Sequence, residues 1–238
     1  MATVILQNDL IESVADALQY ISYYNPVDFI QALNAAYEKE ANPAAKDAMA
    51  QILINSRMCA VGHRPICQDT GIVTVFLNVG MEVSWQGDMS VTEMVNEGVR
   101  RAYLNPDNKL RASILDDPDS ARRNTGDNTP CVVHYQIVPG NKLEVHVAAK
   151  GGGSEAKAKF AMLNPSDSVV DWVLKMVPVM GAGWCPPGML GIGIGGTAEK
   201  AMIMAKEVLL DPVDIHELKE KGAASRAEEL RLELYDKV

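Results

Sequence analysis

Long hydrophobic runs and paired cysteines are both missing from this sequence of 238 residues. No apolar run approaches the roughly 20 residues that a membrane-spanning helix needs, and the first residues lack the basic and apolar regions of a secretory signal peptide. The four cysteines, Cys59, Cys67, Cys131 and Cys185, are too few and too scattered for a disulfide framework, and no C-x₂-C pair occurs. We therefore expect no membrane segment and no local zinc site, and we place the protein in the reducing cytoplasm.

Positive charge is also scarce. The net charge is −9 and the pI is about 5.0, which argues against nucleic acid or an anionic membrane surface as the partner. An apolar fraction of 47% with a charged fraction of 22% is typical of a soluble globular protein. The chain is long enough to bury a sizeable core, as one large domain or two small ones.

Helix-start signals recur along the chain. An Asn-Pro pair begins at Asn25, Asn42 and Asn164, and each pair predicts an N-cap asparagine followed by proline as the first helical residue. Ser90 with Glu93 forms a capping box that opens a helix ending near residue 103. Apolar periodicity predicts further helices over 8–24, 26–40, 43–58, 165–180, 197–210, 212–221 and 225–236.

Two pairs of strands stand between these helices. Alternating and β-branched residues predict one hairpin from 72–79 with 81–85 and another from 131–138 with 143–150. The first three helices are expected to form a layer over the sheet. We therefore predict an α+β fold with helices packed on a mixed or antiparallel sheet, and with the cysteine- and glycine-rich ligand loops at one edge.

Two of the cysteines lie in turn-rich loops. Cys67 stands in the loop 62–71, and Cys185 stands in the segment 181–196, in which seven of the 16 residues are glycine. Thiolates are soft ligands that suit iron–sulfur clusters, zinc or Cu(I). These two cysteines are candidate metal ligands, although two alone do not complete a cluster. Cys59 and Cys131 are interpreted as small buried hydrophobic residues.

Glycine-rich segments and an arginine suggest an anion site. The segments 151–153 and 191–196 can free backbone N–H groups for an anion. The equal alternatives are a flexible turn at 151–153 and close packing of the glycines at 191–196. Arg111 lies in the long polar loop 105–130, where its guanidinium can clamp a carboxylate. The run 191–196 also matches G-x-G-x-x-G, but no buried strand precedes it, so nucleotide binding is the weaker alternative.

Four motifs in order resemble one family. They are 67–71 (Cys-Gln-Asp-Thr-Gly), 124–130 (Asn-Thr-Gly-Asp-Asn-Thr-Pro), 150–154 (Lys-Gly-Gly-Gly-Ser) and 183–188 (Gly-Trp-Cys-Pro-Pro-Gly) with 193–197 behind it. Together they resemble the class I, iron–sulfur-dependent fumarate hydratases and their tartrate dehydratase relatives, over nearly the whole chain. The resemblance implies that residues 1–238 are the N-terminal (α) region of such an enzyme.

That resemblance also implies a cofactor and its ligands. In the family, a [4Fe–4S] cluster is held by three cysteines and leaves one iron open to substrate. Cys67 and Cys185 match two of those ligands, while Cys59 and Cys131 do not match the third. We expect the third cysteine and the C-terminal (β) domain to lie beyond Val238.

The substrate positions follow from the same resemblance. Gln68, Asp69, Arg111 and Gly153 match substrate-contacting positions, with Arg111 binding a carboxylate and Asp69 as the catalytic candidate near the open iron. The implied reaction is the reversible hydration of fumarate to (S)-malate, a step of the tricarboxylic acid cycle, in a homodimer. Alternatives are a dehydratase acting on tartrate or mesaconate, and a catalytically silent fragment without a cluster.

Overall fold

The computed structural model of the chain describes residues 2–185 and 187–238. Pro186, which follows Cys185 in the motif 183–188, lies outside the described residues. The chain divides into two compact units. Unit 1 comprises Met1–Asn25 and Ala41–Gly152, and unit 2 comprises Pro26–Glu40 and Gly153–Val238. Helices and short sheets are both present, which confirms the predicted α+β class.

The main sheet of unit 1 has three strands, namely β2 (Ile72–Gly80), β6 (Val132–Val138) and β7 (Leu143–Lys150). Their order in the sheet is β6-β2-β7. The central strand β2 is parallel to β6 and antiparallel to β7, so the sheet is mixed, as predicted. The predicted hairpin of β6 with β7 is wrong because β2 lies between them. A nearly continuous apolar run that is buried on both faces belongs in the middle of a sheet.

The remaining strands of unit 1 form two smaller, two-stranded sheets. The strands β1 (Thr3–Leu6) and β3 (Val83–Gln86) pair in parallel. The predicted hairpin of β2 with β3 is therefore wrong, since β3 takes its partner from a strand that the sequence analysis missed. Four apolar residues directly before a helix carry too little periodicity to be recognised as a strand. The strands β4 (Leu115–Asp116) and β5 (Arg123–Asn124) form a short antiparallel pair inside the long polar loop.

Three long helices belong to unit 1, namely α1 (Gln7–Tyr23), α3 (Pro43–Gly62) and α4 (Val91–Leu104). Helices α1 and α4 pack together and against one face of the main sheet, where they bury the core. The capping box of Ser90 and Glu93 and the N-cap role of Asn42 are both confirmed. The expected layer of the first three helices is correct for α1 but not for the second helix, α2 (Val27–Lys39), which belongs to unit 2; α4 covers the sheet together with α1.

Helices are the only regular secondary structure among the described residues of unit 2. Its helices are α2 (Val27–Lys39), α5 (Gly152–Glu155, starting at the boundary of the units), α6 (Val169–Met180), α7 (Ala198–Glu207), α8 (Ile215–Lys221) and α9 (Arg226–Lys237), with 3₁₀ turns at Gly181–Trp184 and Val208–Leu210. Its apolar core joins α6 to α9 through Val170, Val173 and Leu234.

Two predicted helix caps of this region are wrong. The N-cap of α2 is Pro26, and the amide of Asn25 donates to Ser56 Oγ instead. The N-cap of α6 is Ser168, whose hydroxyl accepts from the backbone N–H of Asp171. At α2 the side chain of Asn25 is bonded to Ser56 and does not cap the helix. At α6 the hydroxyl of Ser168 caps the helix in place of the predicted Asn164. Among the described residues, no helix has the length and apolar character needed to cross a membrane.

Candidate active site

The loop of Cys67 connects the end of α3 to the start of β2. The side chain of Cys67 is exposed, and its Sγ accepts a hydrogen bond from the backbone N–H of Asp69 at 3.4 Å. The same thiol lies 3.4 Å from Gln68 Oε1, to which it donates. N–H groups that point at sulfur are among the interactions by which proteins tune iron–sulfur ligands. The loop therefore presents an accessible sulfur with a backbone donor already in place.

The carboxylate of Asp69 joins this loop to the end of β7. Its Oδ1 accepts from the N–H of Gly71 at 3.1 Å, and its Oδ2 accepts from the N–H of Gly152 at 2.8 Å. A Cβ added at Gly151 would lie 3.1 Å from Asp69 Oδ2, so the backbone there approaches the carboxylate closely. Asp69 therefore has a structural role that the sequence analysis did not foresee. Its predicted catalytic role stays a prediction.

Thr70 and Tyr103 hold the same loop from inside unit 1. The hydroxyl of Thr70 donates to the carbonyl of Arg111 and accepts from the N–H of Arg111, both at 2.9 Å. The phenol of Tyr103 donates to the carbonyls of Thr70 and Gly71 at 2.8 and 2.9 Å. Burial raises the pKa of Tyr103 to about 12, and the nearby charge of Asp69 acts in the same direction. The phenol therefore remains a neutral donor at physiological pH.

Asn128 links the loop to the segment that follows Arg111. It is fully buried and has a left-handed backbone (φ 63°), a conformation that asparagine tolerates better than most residues. Its Nδ2 donates to the carbonyl of Gly71 at 3.0 Å, and its Oδ1 accepts from the N–H groups of Ser113 and Ile114 at 2.7 and 3.3 Å. No role was predicted for Asn128, and the only signal in the sequence is its place in the motif 124–130.

These contacts bring several predicted residues to one cavity. A cavity of about 330 Å³ is lined by Pro65, Ile66, Cys67, Gln68, Thr70, Lys109 and Arg111. Its volume lies at the lower end of the range of about 300–1,000 Å³ that is usual for small-molecule sites. A second cavity of about 220 Å³ shares Cys67 and Thr70 with it and is also lined by Asp69.

Lys109 and Arg111 give this cavity its positive charge. The two residues are exposed, while Leu110 between them is buried in the core, as expected for an extended segment with alternating faces. Within the described part of the chain, neither cation forms a salt bridge to an acidic side chain. Lys109 was not predicted as a site residue, although its position two residues before Arg111 is a usable signal.

The second exposed cysteine and the third glycine of segment 151–153 lie in unit 2. Cys185 follows the 3₁₀ turn Gly181–Trp184 with a left-handed backbone (φ 59°), and its N–H donates to the carbonyl of Ala182 at 3.1 Å. A Cβ added at Gly153 would lie 2.6 Å from the carbonyl oxygen of Gly183. The glycine is therefore required by close packing within unit 2, and its predicted substrate contact stays a prediction.

The glycine run after Cys185 packs directly on α7. A Cβ added at Gly191 would lie 2.0 Å from the carbonyl oxygen of Ala205, and one added at Gly193 would lie 1.9 Å from that of Ala201. Within the described residues 187–190, no strand precedes the run. Close packing therefore accounts for these two glycines better than an anion site or a dinucleotide fingerprint does.

The two remaining cysteines differ from Cys67 and Cys185 in exposure. Cys59 and Cys131 are buried, as predicted, and burial raises the pKa of Cys131 to about 11. Among the described residues, no group of three or more His, Cys, Asp or Glu side chains is arranged to hold a metal ion. Two thiols of this chain are therefore accessible to a metal, that of Cys67 in unit 1 and that of Cys185 in unit 2.

The comparisons with known proteins agree with the motifs. The family model for fumarate hydratase (Fumerase) matches residues 11–238. A protein of Methanocaldococcus jannaschii provisionally named L(+)-tartrate dehydratase subunit alpha is 32% identical over 203 residues, which cover 83% of this chain and 70% of that protein. The L(+)-tartrate dehydratase subunits alpha of Escherichia coli O157:H7 and Shigella sonnei are each 28% identical over 230 residues, or 95% of this chain and 74% of theirs. The chain therefore belongs to the fumarate hydratase (Fumerase) family of hydro-lyases.

Proposed function

We propose that this chain is the α part of a [4Fe–4S]-dependent hydro-lyase that interconverts fumarate and (S)-malate. The observation that carries the proposal is one cavity of about 330 Å³ that exposes a thiol, an amide and two cations without acidic partners among the described residues. A thiol suits a metal, and paired cations with an amide suit a carboxylate. A site for a small diacid beside a metal centre needs both.

Cys67 and Cys185 are the residues of this chain that would hold the cluster. Both are exposed, and neither is engaged in a disulfide. We propose that the third thiolate comes from outside residues 1–238, because both other cysteines of the chain are buried. When bound, such a cluster supplies an iron with an open position, which acts as a Lewis acid on the hydroxyl that leaves or adds.

The residues of the cavity would bind and orient the substrate. Arg111 can engage a carboxylate through two parallel N–H donors, and Lys109 adds a second, more mobile positive charge. Gln68 lines the same cavity, and its Nε2 is a further donor. The backbone N–H of Gly153 is proposed as the last donor. A carboxylate held in this way cannot rotate away while its neighbouring carbon exchanges a proton.

Asp69 is proposed as the acid–base candidate at this site. Its side chain lines the cavity that shares Cys67 and Thr70 with the larger one. Each of its oxygens accepts one backbone hydrogen bond, so its orientation is fixed before substrate binds. A carboxylate oxygen retains a further lone pair for a substrate hydroxyl.

The proposed enzyme has further parts. The relatives named above are called alpha subunits, so we propose that a β domain or subunit completes the active site. A homodimer of the complete enzyme is part of the same proposal. The four free thiols fit a reducing compartment, and we propose the cytoplasm.

A specific alternative is dehydration of L(+)-tartrate. It is favoured by the names of the relatives, which are L(+)-tartrate dehydratase subunits alpha. Tartrate and malate are both hydroxy-dicarboxylates, so the cations of the cavity suit the carboxylates of either one. Mesaconate remains a third candidate substrate on the same chemical ground.

The experiment is an anaerobic assay of the chain purified together with its native β partner. Iron, sulfide and the visible absorption of a cluster are measured first, and then initial rates with fumarate, (S)-malate, L(+)-tartrate and mesaconate. We expect about four irons per active site for a cubane and the highest kcat/KM with fumarate and malate. Full iron with tartrate as the preferred substrate would establish the alternative. A complex without iron after anaerobic reconstitution would leave a silent chain and overturn the proposal.

A further inference from the structure

We propose that Thr70 is a positioning residue that holds Arg111 in place beside Cys67 and Asp69. The proposal rests on the function proposed above, since it assigns the reason why Arg111 can act as a rigid carboxylate clamp. Thr70 belongs to the motif 67–71, but no role was predicted for its side chain.

The hydroxyl of Thr70 engages one residue twice. It donates to the carbonyl of Arg111 and accepts from the N–H of Arg111, both at 2.9 Å, across a sequence separation of 41 residues. The single hydroxyl of Thr70 thus satisfies both the backbone N–H and the backbone carbonyl of Arg111, which in a β-sheet would bond to a neighbouring strand. Arg111 lies in a stretch without regular secondary structure, so these two bonds take the place of a strand ladder.

Neighbouring contacts fix the position of Thr70 and so of its two hydrogen bonds to Arg111. The carbonyl of Thr70 accepts from the buried phenol of Tyr103, which fixes the backbone of Thr70. Asn128 holds the loop through Gly71 and holds the segment beyond Arg111 through Ser113. The two segments are therefore joined at two points, and the hydroxyl of Thr70 is the one that acts on Arg111 directly.

A displaced Arg111 would affect catalysis more than folding. Thr70 is half-buried at the edge of the cavity, whereas the core of unit 1 lies behind it. Loss of its hydroxyl leaves the N–H and the carbonyl of Arg111 to water and frees the segment that carries the guanidinium. A misplacement of about 1 Å in a substrate-orienting group can lower a rate by about 100-fold.

The test compares Thr70→Val, which keeps the shape and removes the hydroxyl, with Thr70→Ser, which keeps the hydroxyl. Thr92→Val is the matched control, because it removes a hydroxyl that bonds Tyr135 elsewhere in unit 1. Hydrogen–deuterium exchange of the Arg111 amide is measured in the cluster-free chain. kcat, KM and iron content are measured in the anaerobic complex with the β partner.

We expect Thr70→Val to accelerate exchange of the Arg111 amide at least tenfold and to lower kcat/KM at least tenfold, mainly through KM, with unchanged iron. Thr70→Ser and Thr92→Val should remain within threefold of the wild type in both measurements. Unchanged exchange in Thr70→Val, or faster exchange with unchanged kcat/KM, would overturn the proposal. If the wild-type complex has neither iron nor hydro-lyase activity, the proposed function fails, and the exchange measurement alone decides whether Thr70 holds Arg111.

Discussion

The two cysteine loops of this chain expose a thiol by opposite means. The loop of Cys67 is held by side chains, since Asp69, Thr70, Tyr103 and Asn128 all bond to backbone groups in or beside it. The segment around Cys185 is shaped by backbone packing, because a side chain at Gly191 or Gly193 would collide with α7. One loop depends on polar partners and the other depends on the absence of side chains.

This difference predicts how each loop fails. Removing a polar partner leaves a buried N–H or carbonyl without a bond, which costs about 1–3 kcal/mol, while the shape of the loop can be kept. Adding a methyl group to a packed glycine forces the backbone apart, with a cost that rises steeply with overlap. The Cys67 loop should therefore be destabilised by substitutions that remove a polar group and keep the shape of the side chain. The Cys185 segment should be destabilised by substitutions that enlarge a glycine.

The largest expected effect is that of Gly193→Ala. The new Cβ would meet the carbonyl oxygen of Ala201 at 1.9 Å, so we expect a loss of at least about 3 kcal/mol in the free energy of unfolding of unit 2. Gly195→Ala is the matched control, because no atom lies within 4 Å of its Cβ and its cost is limited to the positive φ of 89°. Urea denaturation followed by circular dichroism measures both. Equal stability of the two variants would break the contrast between the loops.

The next effect concerns the cations of the Cys67 cavity. Arg111→Lys keeps the charge and loses the fork that binds a carboxylate through two donors, and we expect KM for the dicarboxylate to rise about 30-fold, or about 2 kcal/mol. Lys109→Met should raise KM only about threefold, because an exposed ammonium is a weaker and less oriented partner. Initial rates of the anaerobic complex decide the order. A larger effect at Lys109 would show that the clamp has been assigned to the wrong cation.

The smallest effect is that of Tyr103→Phe. At pH 8 we expect a loss of about 1 kcal/mol in unfolding free energy, from the bonds to the carbonyls of Thr70 and Gly71. The pH dependence is more specific. The pKa of Tyr103 is about 12 in the folded chain and about 10 when unfolded, so its stabilisation is complete below pH 10 and is lost as the pH rises towards 12.

The phenylalanine variant lacks this titration. Its stability should therefore fall less steeply than that of the wild type between pH 10 and pH 12. Urea denaturation at pH 8, 10 and 11 measures the two slopes. Parallel slopes would mean that the phenol is not held neutral by burial.

Local signals in the sequence predicted local structure well. The capping box at Ser90, the N-cap at Asn42 and the helices near them depend on contacts over a few residues. The strand β2 was recognisable because its apolar run is long. The grouping of Cys67, Gln68 and Arg111 at one cavity was anticipated only through the family motifs, since Arg111 is distant from the other two in sequence.

Pairings between residues that are far apart in the sequence were not predictable in the same way. The turn at 139–142 suggested a hairpin. However, the carbonyls of Lys142 and Gly140 accept from the N–H groups of Gly80 and Glu82 at and just after the end of β2, and β2 separates the two strands. The roles of Tyr103 and Asn128 depend on carbonyls 32 and 57 residues away. Nothing in the neighbouring sequence distinguishes this tyrosine or this asparagine from the others in the chain. Their bonds to the carbonyl of Gly71 can therefore be recognised only in the folded structure.

The central claim is that Cys67 and Cys185 are the two thiolates by which this chain holds an iron–sulfur cluster. The most direct test is the iron and acid-labile sulfide content of the anaerobic complex in Cys67→Ser, Cys185→Ser and the control Cys59→Ser. We predict that the first two variants lose the cluster and its visible absorption, while the buried Cys59 can be replaced without loss of iron. A Cys185→Ser complex with full iron and full activity would contradict the account.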